Sequence, residues 1–148
     1  MATPEAVPEH LRSEEELSKF IAQFEDGTLP LASWTHAAHV TVAASYLWHT
    51  TAEAVLPQMR IRIQTYNVAV GGKNTATTGY HESLTVFWLR VIHEFLQRNP
   101  AETRLNAVRT AVNHFGPRRD LFRDYYSFDV VNSREARASW VPPDLRQL

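Results

Sequence analysis

Four side chains in this sequence have the types and spacing to do chemistry together. His36 and His39 lie three residues apart, a spacing that puts both on one face of a helix. His81 opens a second apolar segment, and Glu82 follows it about 100° further round the helix. Neutral imidazoles are preferred ligands of divalent metals, and carboxylates complete such sites. A helix N-terminus disfavours a protonated histidine, so His36 and His81 would keep a lone pair available near neutral pH. Three protein ligands with an open fourth position form the arrangement of a catalytic metal centre. The expectation is therefore a divalent metal of unassigned identity on His36, His39 and His81. Glu82 would serve as general base or as a partner orienting a ligand. His114 is the substitute ligand or a substrate contact. Trp34, Tyr80, Thr85 and Lys73 complete the candidate substrate-binding set.

A plainer reading of the same residues stays open. A histidine pair at i, i+3 arises easily by chance, and inward histidines often only bond to backbone or to Tyr and Thr partners. An acid in the first turn of a helix, such as Glu82, is stabilising without any chemistry.

These residues must be positioned by helices. Ser13 with Glu16 reads as a capping box, followed by the stripe Leu17, Phe20, Ile21 and Phe24, with Gly27 placed to end the helix. A second helix, capped by Ser33 or Thr35, runs to about His49. A third begins near Thr51 with the stripe Leu56, Met59, Ile63, Tyr66 and Val70; Pro57 limits its upstream extent, and Gly71-Gly72 stops it. The fourth starts close to His81 and is apolar nearly all round, which predicts the central, buried helix. The fifth carries Leu105, Val108, Val112 and Phe115 before Gly116-Pro117. A short helix near Arg118 to Asp124 and a turn capped by Ser133 follow. No strand hairpin or internal repeat is visible. The expected fold is all-α: a single-domain up-and-down bundle of about five main helices plus short C-terminal ones. Residues 1–12 are read as a flexible leader and 13–148 as the domain.

Short connections favour antiparallel neighbours, so helices two and four run the same way. Their N-termini then share one end of the bundle with the C-termini of helices one, three and five. That end collects His36, His39, His81, Glu82 and His114, with Glu25, Asp26 and Asp120 nearby. His49 lies at the other end, His10 in the leader, and His93 about 18 Å along the axis from His81.

Composition bounds the alternatives. The chain has 148 residues, enough for one self-sufficient core. Fifteen basic and sixteen acidic residues leave a net charge of -1, which argues against nucleic-acid binding by bulk electrostatics. The absence of cysteine excludes disulfides, thiolate zinc sites and thiol nucleophiles, and suits a reducing cytoplasm. Met1 to Glu5 carry no basic region leading into an apolar one, so no secretory signal is read there. Residues 27–52 lack Asp, Glu, Lys and Arg, yet Pro30, three histidines and seven Ser or Thr residues make the run too polar for a membrane span. A cytoplasmic protein with no membrane partner is expected.

The loop Lys73 to Gly79 leads into a helix start, a natural anion site, and reads either as a lid or as a solvated connection. Gly71-Gly72-Lys73 fails as a phosphate loop, because Asn67 and Asn74 occupy the motif's glycine and hydroxyl positions. No nucleotide cofactor signal exists. Arg118, Arg119 and Arg123 beside Asp120 and Asp124 read as a solvated, self-paired helix face rather than a phosphate site. The four tryptophans fill core or wall a pocket, and Trp34 directly precedes the histidine pair.

Three segments together carry a resemblance: Leu29-Pro30-Leu31 with Trp34-Thr35-His36-Ala37-Ala38-His39, Gly79-Tyr80-His81-Glu82-Ser83-Leu84-Thr85, and Trp140-Val141-Pro142-Pro143-Asp144-Leu145. They resemble an uncharacterised small bacterial all-helical family with W-T-H-x-x-H and G-Y-H-E-[ST] segments. The likeness covers most of residues 14–145 and implies a helical fold but no activity. A looser similarity links the chain to DinB-like metal-binding bundles, which present three histidines from separate helices. Here a close pair sits on one helix and the third opens another, so their thiol-transfer chemistry is not carried over.

The sequence thus leads to a metal-dependent enzyme acting on a small molecule at a histidine-lined pocket. A non-catalytic small-ligand-binding module, or a structural helical protein with metal-free core histidines, stands as the alternative. Neither the substrate nor the oligomeric state can be read.

Overall fold

The computed structural model describes residues 7–148; the first six residues of the expected leader lie outside the described residues. Six α-helices make up the fold: α1 (Glu14–Asp26), α2 (His36–Leu47), α3 (Ala52–Ala69), α4 (Glu82–Arg98), α5 (Arg104–Phe115) and α6 (Arg134–Ala138). Single 3-10 turns occupy Glu9–Leu11, Leu31–Ser33 and Leu121–Asp124, and no strand occurs among the described residues. The chain is an all-helical bundle.

Local chemistry sets the boundaries. Ser13, Thr35, Thr51, Thr103 and Ser133 each accept the backbone N–H three residues on, satisfying a donor the first helical turn leaves free. α4 is the exception, because its N-cap acceptor is the ring nitrogen of His81. Gly27 ends α1 in the left-handed conformation at φ 79°. A Cβ there would also sit 2.7 Å from that of Ala69, so the glycine lets α1 and the end of α3 approach. α3 starts at Ala52 and carries Pro57 in its interior, forgoing one backbone hydrogen bond.

The most enclosed helix is α2, not α4. Val40, Thr41, Val42, Ala43, Ala44, Ser45 and Leu47 are all buried, covering most of its circumference. Small side chains let α4 and α5 come close on either side of it. α4 keeps an exposed outer edge at Arg90, Glu94, Gln97 and Arg98. The core joins Leu17, Phe20, Ile21 and Phe24 of α1 to Phe87, Leu89 and Ile92 of α4 and Val108, Ala111 and Phe115 of α5.

Both chain ends are tied to this core. Residues 9–12, expected in the leader, are pinned: Leu11 is buried, His10 stacks on Phe20 at 4.0 Å, and Arg109 donates to the carbonyls of Leu11 and Arg12. At the other end, Ser83 Oγ donates to the Ser139 carbonyl at 2.8 Å and accepts from Val141 N at 2.9 Å. Tyr126 Oη adds a bond to the Val141 carbonyl at 2.7 Å. These bonds lay the extended C-terminal segment across α4. No helix of the described residues is long and apolar enough to cross a membrane.

Candidate functional site

A cavity of about 750 Å³ opens at the end of the bundle where α2 and α4 begin. Trp34, Thr35, His36 and His39 line it from α2 and its approach. Met59, Ile63 and Asn67 line it from α3, and Tyr80, His81, Thr85 and Trp88 from α4 and its cap. Its size lies within the range of small-molecule pockets, and its walls combine aromatic surface with a few polar groups. Of the residues singled out in the sequence, His36, His39, His81, Trp34, Tyr80 and Thr85 meet there.

Each of the three histidines is held by a backbone carbonyl, and that carbonyl fixes its tautomer. His36 Nε2 donates to the Phe115 carbonyl at 3.0 Å, tying the start of α2 to the end of α5. His39 Nδ1 donates to the Thr35 carbonyl at 2.7 Å, one turn back on its own helix. His81 Nε2 donates to the buried Val130 carbonyl at 2.8 Å. An amide carbonyl can only accept, so these nitrogens carry the protons. The remaining nitrogens differ in use. His81 Nδ1 accepts from Leu84 N at 3.2 Å as the cap of α4. His36 Nδ1 and His39 Nε2 have no hydrogen-bond partner among the described residues.

All three rings are pushed towards the neutral form. Desolvation is the main cause for His36, opposed by its bond to Phe115, with the charge of Arg119 lowering and that of Asp120 raising the pKa. Desolvation also lowers His81, again opposed by its carbonyl bond. The pKa of His39 is pushed down to about 4, by desolvation first, with the Thr35 carbonyl opposing and His36 adding a little. His39 is exposed where its ring lines the cavity. Trp34 covers one face of that ring at 3.8 Å between centroids, and Trp88 lies 4.9 Å from the ring of His36.

Glu82 is turned away from this cavity. Arg60 Nε donates to its Oε1 at 3.0 Å, Arg60 Nη2 to its Oε2 at 2.6 Å, and Tyr80 Oη to its Oε1 at 2.6 Å. Those bonds, led by Arg60, hold the carboxyl below its usual range. Burial first, and then the bond to Glu82, push the Tyr80 hydroxyl upward. Glu82 therefore lines a separate cleft of about 520 Å³ with Arg60, Gln64, Asn74 and Trp140. As a carboxylate holding three hydrogen bonds from Arg60 and Tyr80, it faces away from a ligand beside His39.

Two further candidates are elsewhere. His114 is exposed and stacks on Phe95 at 4.5 Å, outside the cavity wall. Lys73 is exposed on the loop before α4 and touches neither cleft. That loop is more tightly held than its composition suggests. Asn74 Oδ1 accepts from Asn67 Nδ2 at 2.9 Å and from Tyr80 N at 3.0 Å, while its Nδ2 donates to the Gln64 carbonyl at 3.0 Å. Gly79, at φ 79°, packs so closely that a Cβ would lie 2.2 Å from the Lys73 carbonyl oxygen. Asn74 and Gly79 thus close the loop against α3.

The basic group after α5 is the residue set that periodicity could not place. Arg119, Asp120, Phe122 and Arg123 line the cavity, and the three charged residues are exposed at its rim. No ion pair among the described residues joins Arg118, Arg119 or Arg123 to Asp120 or Asp124. The self-pairing expected from their sequence order is not what the structure has.

For a divalent metal, the donor chemistry is incomplete. A metal on all three histidines would have to strip His81 of either its cap to α4 or its bond to Val130. Of the three histidines, His36 Nδ1 and His39 Nε2 keep a lone pair, and no cluster of three His, Asp or Glu side chains suited to a metal occurs among the described residues. The chain matches no family model, no curated protein and no solved structure.

Proposed function

We propose that this chain binds a small organic molecule in the histidine-lined cavity, with His39 Nε2 as the acceptor that orients it. The observation carrying this reading is a neutral imidazole whose tautomer is fixed by the Thr35 carbonyl and whose other nitrogen is left unpartnered in the cavity. Such a nitrogen selects a ligand bearing O–H or N–H. Trp34, Trp88 and Phe122 offer flat apolar surface for the rest of the molecule.

The geometry favours recognition: with its Nδ1–H held by the Thr35 carbonyl, His39 presents Nε2 to the cavity as a competent hydrogen-bond acceptor. Metal-dependent catalysis, the other reading of the histidine cluster, draws less support because His81 is engaged at both nitrogens.

The test uses 2-naphthol, a flat neutral molecule with one hydroxyl, against naphthalene as its hydroxyl-free control. Chemical-shift titration should show saturable binding of 2-naphthol, with the largest shifts at Trp34, His39 and Trp88. His39→Phe should erase the preference for 2-naphthol while leaving naphthalene binding intact. Absence of saturable binding by either molecule, in protein shown to be folded by its dispersed spectrum, overturns the reading.

A further inference from the structure

The turn after α5 brings charge to a cavity that otherwise has none. Pro117 prevents α5 from continuing, and the chain doubles back through bonds from Arg118 N to the Phe115 carbonyl at 2.9 Å and from Leu121 N to the Arg118 carbonyl at 3.0 Å. Arg123 N closes the following turn on the Asp120 carbonyl at 2.9 Å. The backbone under Arg119 and Arg123 is thereby fixed at the cavity rim, where both residues are exposed and the Arg123 guanidinium lies over the Phe122 ring at 5.9 Å. Among the described residues neither makes an ion pair or donates a hydrogen bond from its side chain, although most other arginines of the chain do.

The charge at this rim has a sign and a size. The lining side chains include two guanidinium groups and one carboxylate, Asp120, with the histidines neutral, so the opening carries a net charge of one positive unit. The free backbone N–H groups at the starts of α2 and α4 lie at the same end and add to the positive potential. A dianion would overcompensate this set and meet Asp120; a neutral molecule would leave both guanidinium groups without an anion. A planar guanidinium matches a carboxylate through two parallel hydrogen bonds.

On the reading of the cavity as a small-molecule site, we propose that its ligand is an aromatic monocarboxylate: the flat body lies among Trp34, Trp88 and Phe122, and Arg119 and Arg123 receive the carboxylate at the rim. His39 then accepts a hydroxyl or N–H carried elsewhere on the same body. Arg119 and Arg123 are binding residues that select the ligand's charge; neither is assigned a part in any reaction.

Three probes separate this inference from the reading it rests on: 2-naphthol, 6-hydroxy-2-naphthoate and 6-hydroxy-2-naphthamide, titrated at low salt. The carboxylate should bind at least about tenfold more tightly than the amide of the same shape, and the advantage should shrink as salt rises. Arg119→Gln and Arg123→Gln should each reduce that advantage to about threefold or less, with 2-naphthol still bound saturably. Equal affinity of carboxylate and amide for the wild-type protein, with 2-naphthol bound, overturns the charge inference and leaves the cavity reading standing. Failure of all three probes overturns both. Both arginines are exposed, so their variants are expected to fold, and the retained 2-naphthol binding reports that they do.

Discussion

His81 Nε2 donates to the carbonyl of Val130 at 2.8 Å, joining the start of α4 to a buried residue forty-nine positions further along the chain. The opposite nitrogen of the same ring caps α4 by accepting Leu84 N–H. One side chain thus satisfies a helix end and adds a second bond to a buried carbonyl that also accepts Ser133 N–H at 3.3 Å. The Val130 region in turn supports Val131, which lines the cavity.

Replacing His81 by Ala removes both bonds. Losing an N-cap costs about 0.5–2 kcal/mol, and losing one of two hydrogen bonds to a carbonyl that keeps Ser133 N–H about 0.5–1.5 kcal/mol, so a total near 1–3 kcal/mol is expected. His81→Asn retains a capping side chain but cannot reach as far, and should lose about half of that. Urea unfolding followed by far-UV circular dichroism measures both. A cost below about 0.5 kcal/mol for His81→Ala would show that the ring does not hold this corner together.

The histidines also give the fold an acid sensitivity. The pKa values of His36, His39 and His81 are lowered in the folded state, so folding disfavours their protonated forms. A base with a depressed folded pKa contributes its full stability above the unfolded value of 6.5 and loses it as the pH falls towards the folded value, about 4 for His39. His10, stacked on Phe20, shifts the same way. Glu82, Asp26, Asp129 and Asp144 are also depressed, and their contributions fade as the pH drops through and below their ordinary values of 4.5 and 3.8. The unfolding free energy should therefore be level above 6.5 and decline below it, with the histidines alone responsible down to about pH 5.5 and the carboxylates adding to the loss below that. Denaturant unfolding across that range checks it. A level profile down to pH 4 would mean that the rings titrate freely.

The meeting of His36 with His81 was legible because it depends only on helix order. A short link from α2 to α3 and a longer loop from α3 to α4 bring the starts of α2 and α4 to one end, and Thr35 and Tyr80-His81 mark those starts. The direction of Glu82 was not legible. Neighbouring residues on a helix diverge by about 100°, and only the position of Arg60 on α3 decides which side the carboxylate takes. Arg119 and Arg123 were missed for a different reason. They lie in a turn with no hydrophobic period, so nothing in the sequence says that Pro117 folds them back over the cavity. The burial of α2 is written in the absence of Asp, Glu, Lys and Arg from residues 27–52, but its rank above α4 was not legible, because α4 carries the bulkier side chains while close approach favours small ones.

Glu82 should matter for stability and not for ligand recognition. Its carboxylate accepts from Arg60 and from Tyr80, and its side chain is 12% exposed. Glu82→Gln removes the charge that both donors address, but Arg60 is 41% exposed and can return to water. That partial rescue limits the cost to about 1–2 kcal/mol, below the full value of a buried charged hydrogen bond. Binding of 2-naphthol should change by no more than about twofold, because Glu82 lies outside the cavity. A large loss of binding with unchanged stability would place the carboxylate at the ligand after all.

Metal addition offers a sharp contrast, because a tight site on the folded state has a calculable signature. A divalent ion present at about one hundred times its Kd stabilises by about 2.7 kcal/mol, which for a domain of this size raises Tm by roughly 5–10 °C. His81 is committed to Leu84 and Val130, leaving His36 and His39 as the two imidazoles with a lone pair to offer. Two imidazoles alone fall short of the three or four ligands that zinc sites use. Protein dialysed against a chelator should thus keep its Tm and its affinity for 2-naphthol, and zinc at about one hundred micromolar should raise Tm by less than about 1 °C. A stoichiometric rise of several degrees, abolished by His81→Asn, would show that the ring releases its backbone partners for a metal. In that event the binding reading would give way to the metal-dependent one.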